Sequence, residues 1–199
     1  MRNGKIAMKL NKDDKLIAAL PCQEKDNVLI ASRNGKAIHF EVQQVRIFRG
    51  RNSVGVRGMR LQKDDYVVSM CIVKNPDKEF VLSITENGFG KRTAVSNYRI
   101  TNRGGQGVAN IETSKRNGLV VSSFTVFPED HLMLVTDAGK VIRIRVDGGE
   151  GDVIRIAGRK TQGVRLFEID EKEKVVSVGM SRDTDTDSDT GKESDEEKT

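Results

Sequence analysis

A set of motifs that recurs about every fifty residues is the feature of this 199-residue sequence that most restricts its fold. Each full unit contains a glycine-centred turn, then an Arg-x-x-x-Gly-Val element, then a Val-Val-Ser run. The three copies lie at 33–36, 51–56 and 67–69, at 86–89, 103–108 and 120–122, and at 137–140, 159–164 and 175–177. A fixed period of this length predicts one supersecondary unit stacked several times.

The sequence before the first full unit continues the same register. Gly4 lies 51 residues before Gly55 and is followed by apolar and acidic residues in the same order. The chain therefore opens in the second half of a further unit, and we expect it to be a piece of a longer polypeptide. The approximate units are 1–25, 26–75, 76–127 and 128–180, and together they form one predicted domain, 1–180.

Within each unit the pattern favours strands. Residues 29–42 place an Asn-Gly turn between two apolar runs, which is typical of a β-hairpin with one buried face. No helical apolar stripe occurs. We expect an all-β, propeller-like fold of four-stranded blades, about 50 residues each, with about three and a half to four blades present. One local conflict is that Lys91 and Thr93 occupy positions that Ile38 and Phe40 hold in the preceding unit.

Charge divides the chain into a basic body and an acidic tail. Residues 181–199 contain three Lys/Arg and eight Asp/Glu, which leaves the body with 31 basic and 21 acidic residues, a formal charge of +10. The tail has almost no apolar residues, so we expect it to be disordered. The sequence shows no signal peptide and no apolar run long enough to span a membrane, which predicts a cytoplasmic protein.

The basic residues of the body recur in phase with the repeat. His39, Arg92 and Arg143 are equivalent when the units are aligned on the turn glycine, and Arg51, Arg103 and Arg159 are equivalent on the second glycine. In a radial repeat such positions lie on one rim, so we expect a curved basic stripe that binds duplex DNA through its phosphates. The remaining candidates are Lys36, Arg46, Arg49, Arg57, Arg60, Lys91, Lys140, Arg145, Lys160 and Arg165.

Three stretches carry a family resemblance. Residues 85–93, 158–164 and 50–58 closely resemble the carboxy-terminal domain of the bacterial DNA gyrase A subunit, and the similarity covers about residues 1–180. The resemblance implies a β-pinwheel, usually of six blades that exchange a strand with their neighbours, whose basic rim wraps DNA. It further implies that this chain supplies the later blades, is non-catalytic by itself, and supports ATP-dependent negative supercoiling by the whole enzyme.

The family's hallmark heptapeptide, of the type Gln-Arg-Arg-Gly-Gly-Lys-Gly, is not present. Its nearest match is 101–107, which lacks the leading Gln, the first Arg and the Lys and falls in a later unit. We interpret it as an equivalent loop in which Arg103 contacts phosphate. The resemblance implies no cofactor in this chain, with ATP and magnesium acting elsewhere in the enzyme. It implies the rest of the gyrase A subunit and the gyrase B subunit as partners in a heterotetramer.

Two other interpretations remain open at this point. The corresponding domain of the topoisomerase IV A subunit is similar but usually has fewer blades. A propeller-like protein-interaction scaffold would show salt-tolerant, weak contact with DNA and an exposed apolar patch. We expect neither a membrane association nor a small-molecule substrate, and no arrangement of residues indicates an independent hydrolase.

Overall fold

The computed structural model describes residues 7–50, 52–148 and 153–181. These residues form eleven strands and two single-turn 3₁₀ helices, Val42–Gln44 and Val95–Asn97. The strands are β1 (Asn27–Ser32), β2 (Lys36–Glu41), β3 (Val67–Val73), β4 (Phe80–Thr85), β5 (Phe89–Ala94), β6 (Val108–Ala109), β7 (Val120–Val126), β8 (His131–Thr136), β9 (Val141–Arg145), β10 (Val164–Arg165) and β11 (Val175–Ser181). The all-β prediction is confirmed.

The strands form three antiparallel sheets, which we call blades A, B and C. Their strand orders are β3-β1-β2-β6, β10-β5-β4-β7 and β11-β8-β9. Each blade contains a hairpin, which is central in blades A and B, and its turn glycine has a positive φ of 78° at Gly35, 75° at Gly88 and 81° at Gly139. Glycine reaches this region without the steric penalty of a Cβ, which explains why the turn recurs in the sequence.

Neighbouring blades exchange a strand. β6 belongs to the unit of blade B but pairs with β2 of blade A, and β10 belongs to the unit of blade C but pairs with β5 of blade B. The exchanged strand starts after a glycine that lies against the receiving blade: a Cβ on Gly107 would lie 2.3 Å from the Ala37 carbonyl oxygen. The Gly-Val elements at Gly107 and Gly163 therefore mark the points where one unit crosses to the preceding blade.

The core lies between the blades. Leu29, Cys71 and Val81 pack with Tyr98 between blades A and B, and a second cluster that includes Leu82, Leu134 and Val175 packs between blades B and C. From blade to blade, β7 contacts β3 and β11 and, less extensively, β1. Because the apolar side chains are buried between blades and not within one blade, the stability of each blade depends on its neighbours.

Two parts of the predicted architecture differ from expectation. Blade C has three described strands rather than four, because the fourth strand of each blade comes from the following unit and no such unit is described. Residues 7–25 contain no strand, and Leu16, Ile17 and Ile47 are exposed by 62%, 52% and 83%. These apolar residues lie in strand-free stretches, Leu16 and Ile17 before β1 and Ile47 between β2 and β3, where the partial first unit has no described hairpin to cover them.

Among the described residues no helix has the length and apolar character needed to cross a membrane. Ser181 closes β11, and the acidic residues beyond it lie outside the described part of the chain, so the disorder of the tail stays a prediction.

Candidate nucleic-acid interface

The repeated arginines of the Gly-Val element make the same contact in successive units. Arg103 donates from its guanidinium to the Arg57 carbonyl at 3.1 Å, and Arg159 donates to the carbonyl of Ala109 at 2.9 Å. Arg57 and Ala109 are themselves equivalent, each two residues after its glycine. Arg103 and Arg159 are both half-buried, and neither has a carboxylate partner among the described residues. Arg51, the third member, lies outside the described residues.

Three predicted rim residues are buried, which corrects the expectation that they face outward. His39, Lys91 and Arg92 are exposed by only 2%, 0% and 5%. His39 donates from Nδ1 to the Tyr98 carbonyl at 2.7 Å in the tautomer with Nδ1 protonated. Equivalence in the repeat thus did not guarantee exposure: Arg143, in the same register as His39 and Arg92, is exposed.

Lys91 and Arg92 form hydrogen bonds to the segment that crosses from the unit of blade C to the edge of blade B. Lys91 donates from Nζ to the carbonyls of Gly158 and Arg159, the second at 2.9 Å, and Arg92 donates from Nε to the Ile154 carbonyl at 2.8 Å. Burial, together with the nearby charge of Arg159, lowers the pKa of Lys91 to about 8. A neutral amine retains two N–H donors, enough for both carbonyls. This is why a lysine replaces the isoleucine of the preceding unit.

Lys91 gives the fold a measurable pH dependence. Its pKa in the folded state lies below the unfolded value of 10.5, so the folded state binds fewer protons and stability rises as pH increases from about 8 to about 10.5. Between pH 7 and pH 10 we expect the free energy of unfolding of the native chain, relative to Lys91→Met, to increase by about 2 kcal/mol. Urea denaturation followed by circular dichroism at several pH values measures this; a constant difference would contradict it.

The other predicted residues are at least partly accessible. Lys36 and Arg159 are half-buried, Arg46 lies over the Phe48 ring at 4.5 Å, and Arg60 donates its backbone N–H to the Gly105 carbonyl beside Arg103. The exposed candidates are Arg46, Arg49, Arg57, Arg60, Lys140, Arg143, Arg145, Lys160 and Arg165. They therefore remain predicted phosphate contacts.

Lys140 differs from the other exposed candidates because it is ion-paired with two carboxylates. Its Nζ lies 2.8 Å from carboxylate oxygens of both Asp170 and Glu173. These two hydrogen bonds raise the pKa of Lys140, and the same contact lowers the pKa of Glu173. Lys140 is therefore the weakest candidate of this group for binding an anion.

The structure also shows a cation that the sequence prediction missed. Arg155 is exposed and lines a groove of about 660 Å³ together with Arg143, Arg145 and Arg165. The groove lies between β9 of blade C and β10 at the edge of blade B. The repeat itself could have identified Arg155. An Arg-Ile-x-x-Arg motif occurs at 99–103 and 155–159, and a version with one more residue occurs at 46–51.

The fold and this surface define a β-pinwheel: a propeller-like domain whose blades exchange strands and carry cations on their outer edges. The family model of the DNA gyrase C-terminal domain, described as a beta-propeller, matches residues 2–23, 26–74, 79–126 and 130–181. The chain therefore belongs to the DNA gyrase C-terminal domain family, and the resemblance seen in the sequence is confirmed.

Curated relatives agree with this family. The chain is 39% identical to the DNA gyrase A subunit of Rickettsia conorii over 92% of its own length and 25% of that relative's. It is 38% identical to the DNA gyrase A subunit of Staphylococcus epidermidis over 92% of this chain and 20% of the relative. The chain thus spans about a quarter or less of the length of these relatives.

Solved structures show the same fold. A DNA gyrase A C-terminal domain superposes with a TM-score of 0.77 at 30% identity, covering 89% of this chain and 58% of that one. The C-terminal domain of a DNA topoisomerase IV superposes with a TM-score of 0.79 at 24% identity, covering 87% and 52%. The second match supports the fold alone, whereas the family model and the curated relatives given above are those of gyrase.

Proposed function

We propose that this domain binds duplex DNA without sequence preference along its basic edge and bends it. The observation that carries the proposal is the repeated arginine contact: Arg103 and Arg159 stand at equivalent places on successive units, partly exposed and without a carboxylate partner in the described chain. Cations spaced by the repeat suit a ligand whose charge is itself regularly spaced, and the phosphate backbone is such a ligand.

The first test is the salt dependence of DNA affinity. A duplex of about 30 base pairs titrated with the protein should bind with an affinity that falls about 10³- to 10⁵-fold between 50 and 200 mM salt, if about 6 to 10 phosphates are contacted. The same titration on a duplex of unrelated sequence is the control and should give the same curve. Salt-independent binding, or none at low salt, would refute the proposal.

The second test concerns bending. Bending a site of 20 to 30 base pairs by 40 to 90° costs roughly 1 to 6 kcal/mol, which added phosphate contacts along a curved edge can offset. Ligation of nicked plasmid in the presence of increasing protein should therefore change the linking number, and a positive change would match wrapping of the gyrase type. An unchanged linking number with intact binding would reject the wrapping part of the proposal only.

In the longer protein, we propose, the domain presents DNA to gyrase and so supports negative supercoiling driven by ATP. The partners are then the rest of the gyrase A subunit and the gyrase B subunit in a heterotetramer, in the cytoplasm and in association with the nucleoid. ATP and magnesium act outside this chain, which takes the part of a non-catalytic component.

The alternative function, a protein-interaction scaffold, predicts an exposed apolar patch. Leu16 and Ile47 are exposed, but they belong to the stretches around the incomplete first unit, so their exposure needs no protein partner. The curated relatives given above are gyrase A subunits, which favours a gyrase role over a topoisomerase IV role.

A further inference from the structure

The groove between blades B and C concentrates guanidinium groups on facing walls. Arg143 and Arg145 stand on β9, Arg165 on the exchanged strand β10, and Arg155 on the segment that Arg92 holds against β5. All four groove arginines are exposed. Ile144, Val153, Ile154, Val164 and Leu166 also line the groove. Like charges gathered in one groove raise the local positive potential, which attracts an anion.

Arg155 is the member best placed to bind a ligand. Its backbone carbonyl accepts a hydrogen bond from the Arg92 N–H at 2.9 Å, so the position of the residue is fixed. Its guanidinium has no hydrogen-bond or ion-pair partner in the part of the chain that the structure describes. Arg165 is paired with the exposed Glu168 at 3.2 Å and lies over the Phe89 ring, and Arg145 is paired with Asp147 at 2.7 Å. Exposed pairs of this kind contribute little and can be exchanged for a stronger anion.

The corresponding groove one unit earlier lacks this concentration. Aligned on the two glycines, Arg143 and Arg145 correspond to Arg92 and Ala94, while Arg155 and Arg165 correspond to Arg99 and Ala109. Arg92 is buried and already bonded to Ile154. Of the four equivalent positions only Arg99 offers an exposed cation. The basic edge is therefore uneven, with its densest charge between blades B and C.

We propose that the groove between blades B and C is the main phosphate-binding site of the domain and holds the sugar-phosphate backbone of one DNA strand. This inference rests on the proposed function and adds to it a specific place of tightest contact. Guanidinium forks bind phosphate oxygens bidentately, and facing arginines can engage neighbouring phosphates along one strand. The DNA is then anchored between blades B and C, and the edge between blades A and B guides it more weakly.

The test compares two double variants of the full 199-residue chain. Arg155→Gln with Arg165→Gln removes two groove charges, whereas Lys63→Gln with Lys78→Gln removes two exposed charges outside the groove and the other candidate residues. Affinity for a duplex of about 30 base pairs is measured by fluorescence anisotropy from about 50 to 200 mM salt. We expect the groove variant to bind at least about tenfold more weakly at about 100 mM salt and its salt slope to fall by about 2. The lysine variant should change about threefold or less.

The outcomes separate this inference from the function it rests on. If native protein binds with the expected salt dependence but both variants lose affinity equally, the groove is not the main site and the proposed function stands. If native protein shows no salt-dependent binding, both proposals are refuted. Thermal unfolding is measured for each variant as a check on folding; because all four residues are exposed, we expect differences within about 0.5 kcal/mol. Arg155→Lys with Arg165→Lys keeps both charges but not the bidentate fork, so its affinity should lie between those of the native protein and the groove variant.

Discussion

Replacing Gly107 by alanine should destabilise the domain by about 4 kcal/mol, a large effect for a single substitution. Gly107 has a φ of 70°, which costs a residue with a Cβ about 1 to 2 kcal/mol. The added Cβ would also lie 2.3 Å from the Ala37 oxygen and 2.8 Å from its carbonyl carbon, so β6 must move off β2. Urea denaturation measures the loss, and hydrogen exchange should show faster exchange of the amides of β2 and β6.

Gly55 provides a matched control for this substitution. It occupies the same position in its unit and has a φ of 83°, but a Cβ there would have no neighbour within 4 Å. Gly55→Ala should therefore cost only the conformational part, about 1 to 2 kcal/mol. Equal losses at the two positions would show that backbone strain alone, and not strand exchange, explains the effect at Gly107.

Replacing Asn110 by alanine should cost about 3 kcal/mol, because the residue is the centre of a buried polar network between blades A and B. Asn110 Oδ1 accepts hydrogen bonds from the hydroxyls of Tyr98 at 2.6 Å and Ser83 at 3.1 Å, and its Nδ2 donates to Ser123 Oγ at 2.9 Å. Its exposure is 0%. Truncation removes the carbonyl oxygen that accepts from the Tyr98 and Ser83 hydroxyls in a buried site, and each buried unsatisfied group costs about 1 to 3 kcal/mol.

Two further variants test this explanation. Asn102→Ala, at an exposed asparagine of the same unit, should change the free energy of unfolding by no more than about 0.5 kcal/mol. Adding Tyr98→Phe to Asn110→Ala removes the orphaned hydroxyl, so the double variant should be less destabilised than the sum of the single ones. Additive losses would mean that the hydroxyl is not the group left unsatisfied.

Much of the fold could be predicted from the sequence because it is written into each unit. The turn glycines, alternating strands and Gly-Val elements are local requirements, met at 33–36, 86–89 and 137–140 and again at the exchange points. Even the irregular lysine at position 91 was visible as a departure from the apolar pattern. Its reason was not, since Lys91 bonds the carbonyls of Gly158 and Arg159 in the following unit.

The candidate site was predicted less well. Register identified His39, Arg92 and Arg143 as equivalent, yet only Arg143 is exposed. The difference arises because the following unit covers the edges of β2 and β5, bonding to the backbones of His39 and Arg92, whereas no described segment covers the edge of β9. The sequence prediction missed Arg155 because its importance depends on two distant arginines. Arg143 lies on β9 of blade C, and Arg165 lies on β10 at the edge of blade B.

The sequence by itself determined the period, the hairpins and the family, because these depend on residues close together in the chain and on backbone conformations that only glycine adopts readily. Which cations reach solvent was decided by the tertiary structure alone. Strand exchange brings a segment from the next unit over the edges of blades A and B, so a side chain's burial depends on residues about fifty to seventy positions away. The repeat specifies the backbone position of a side chain, but packing between blades decides what that side chain can contact.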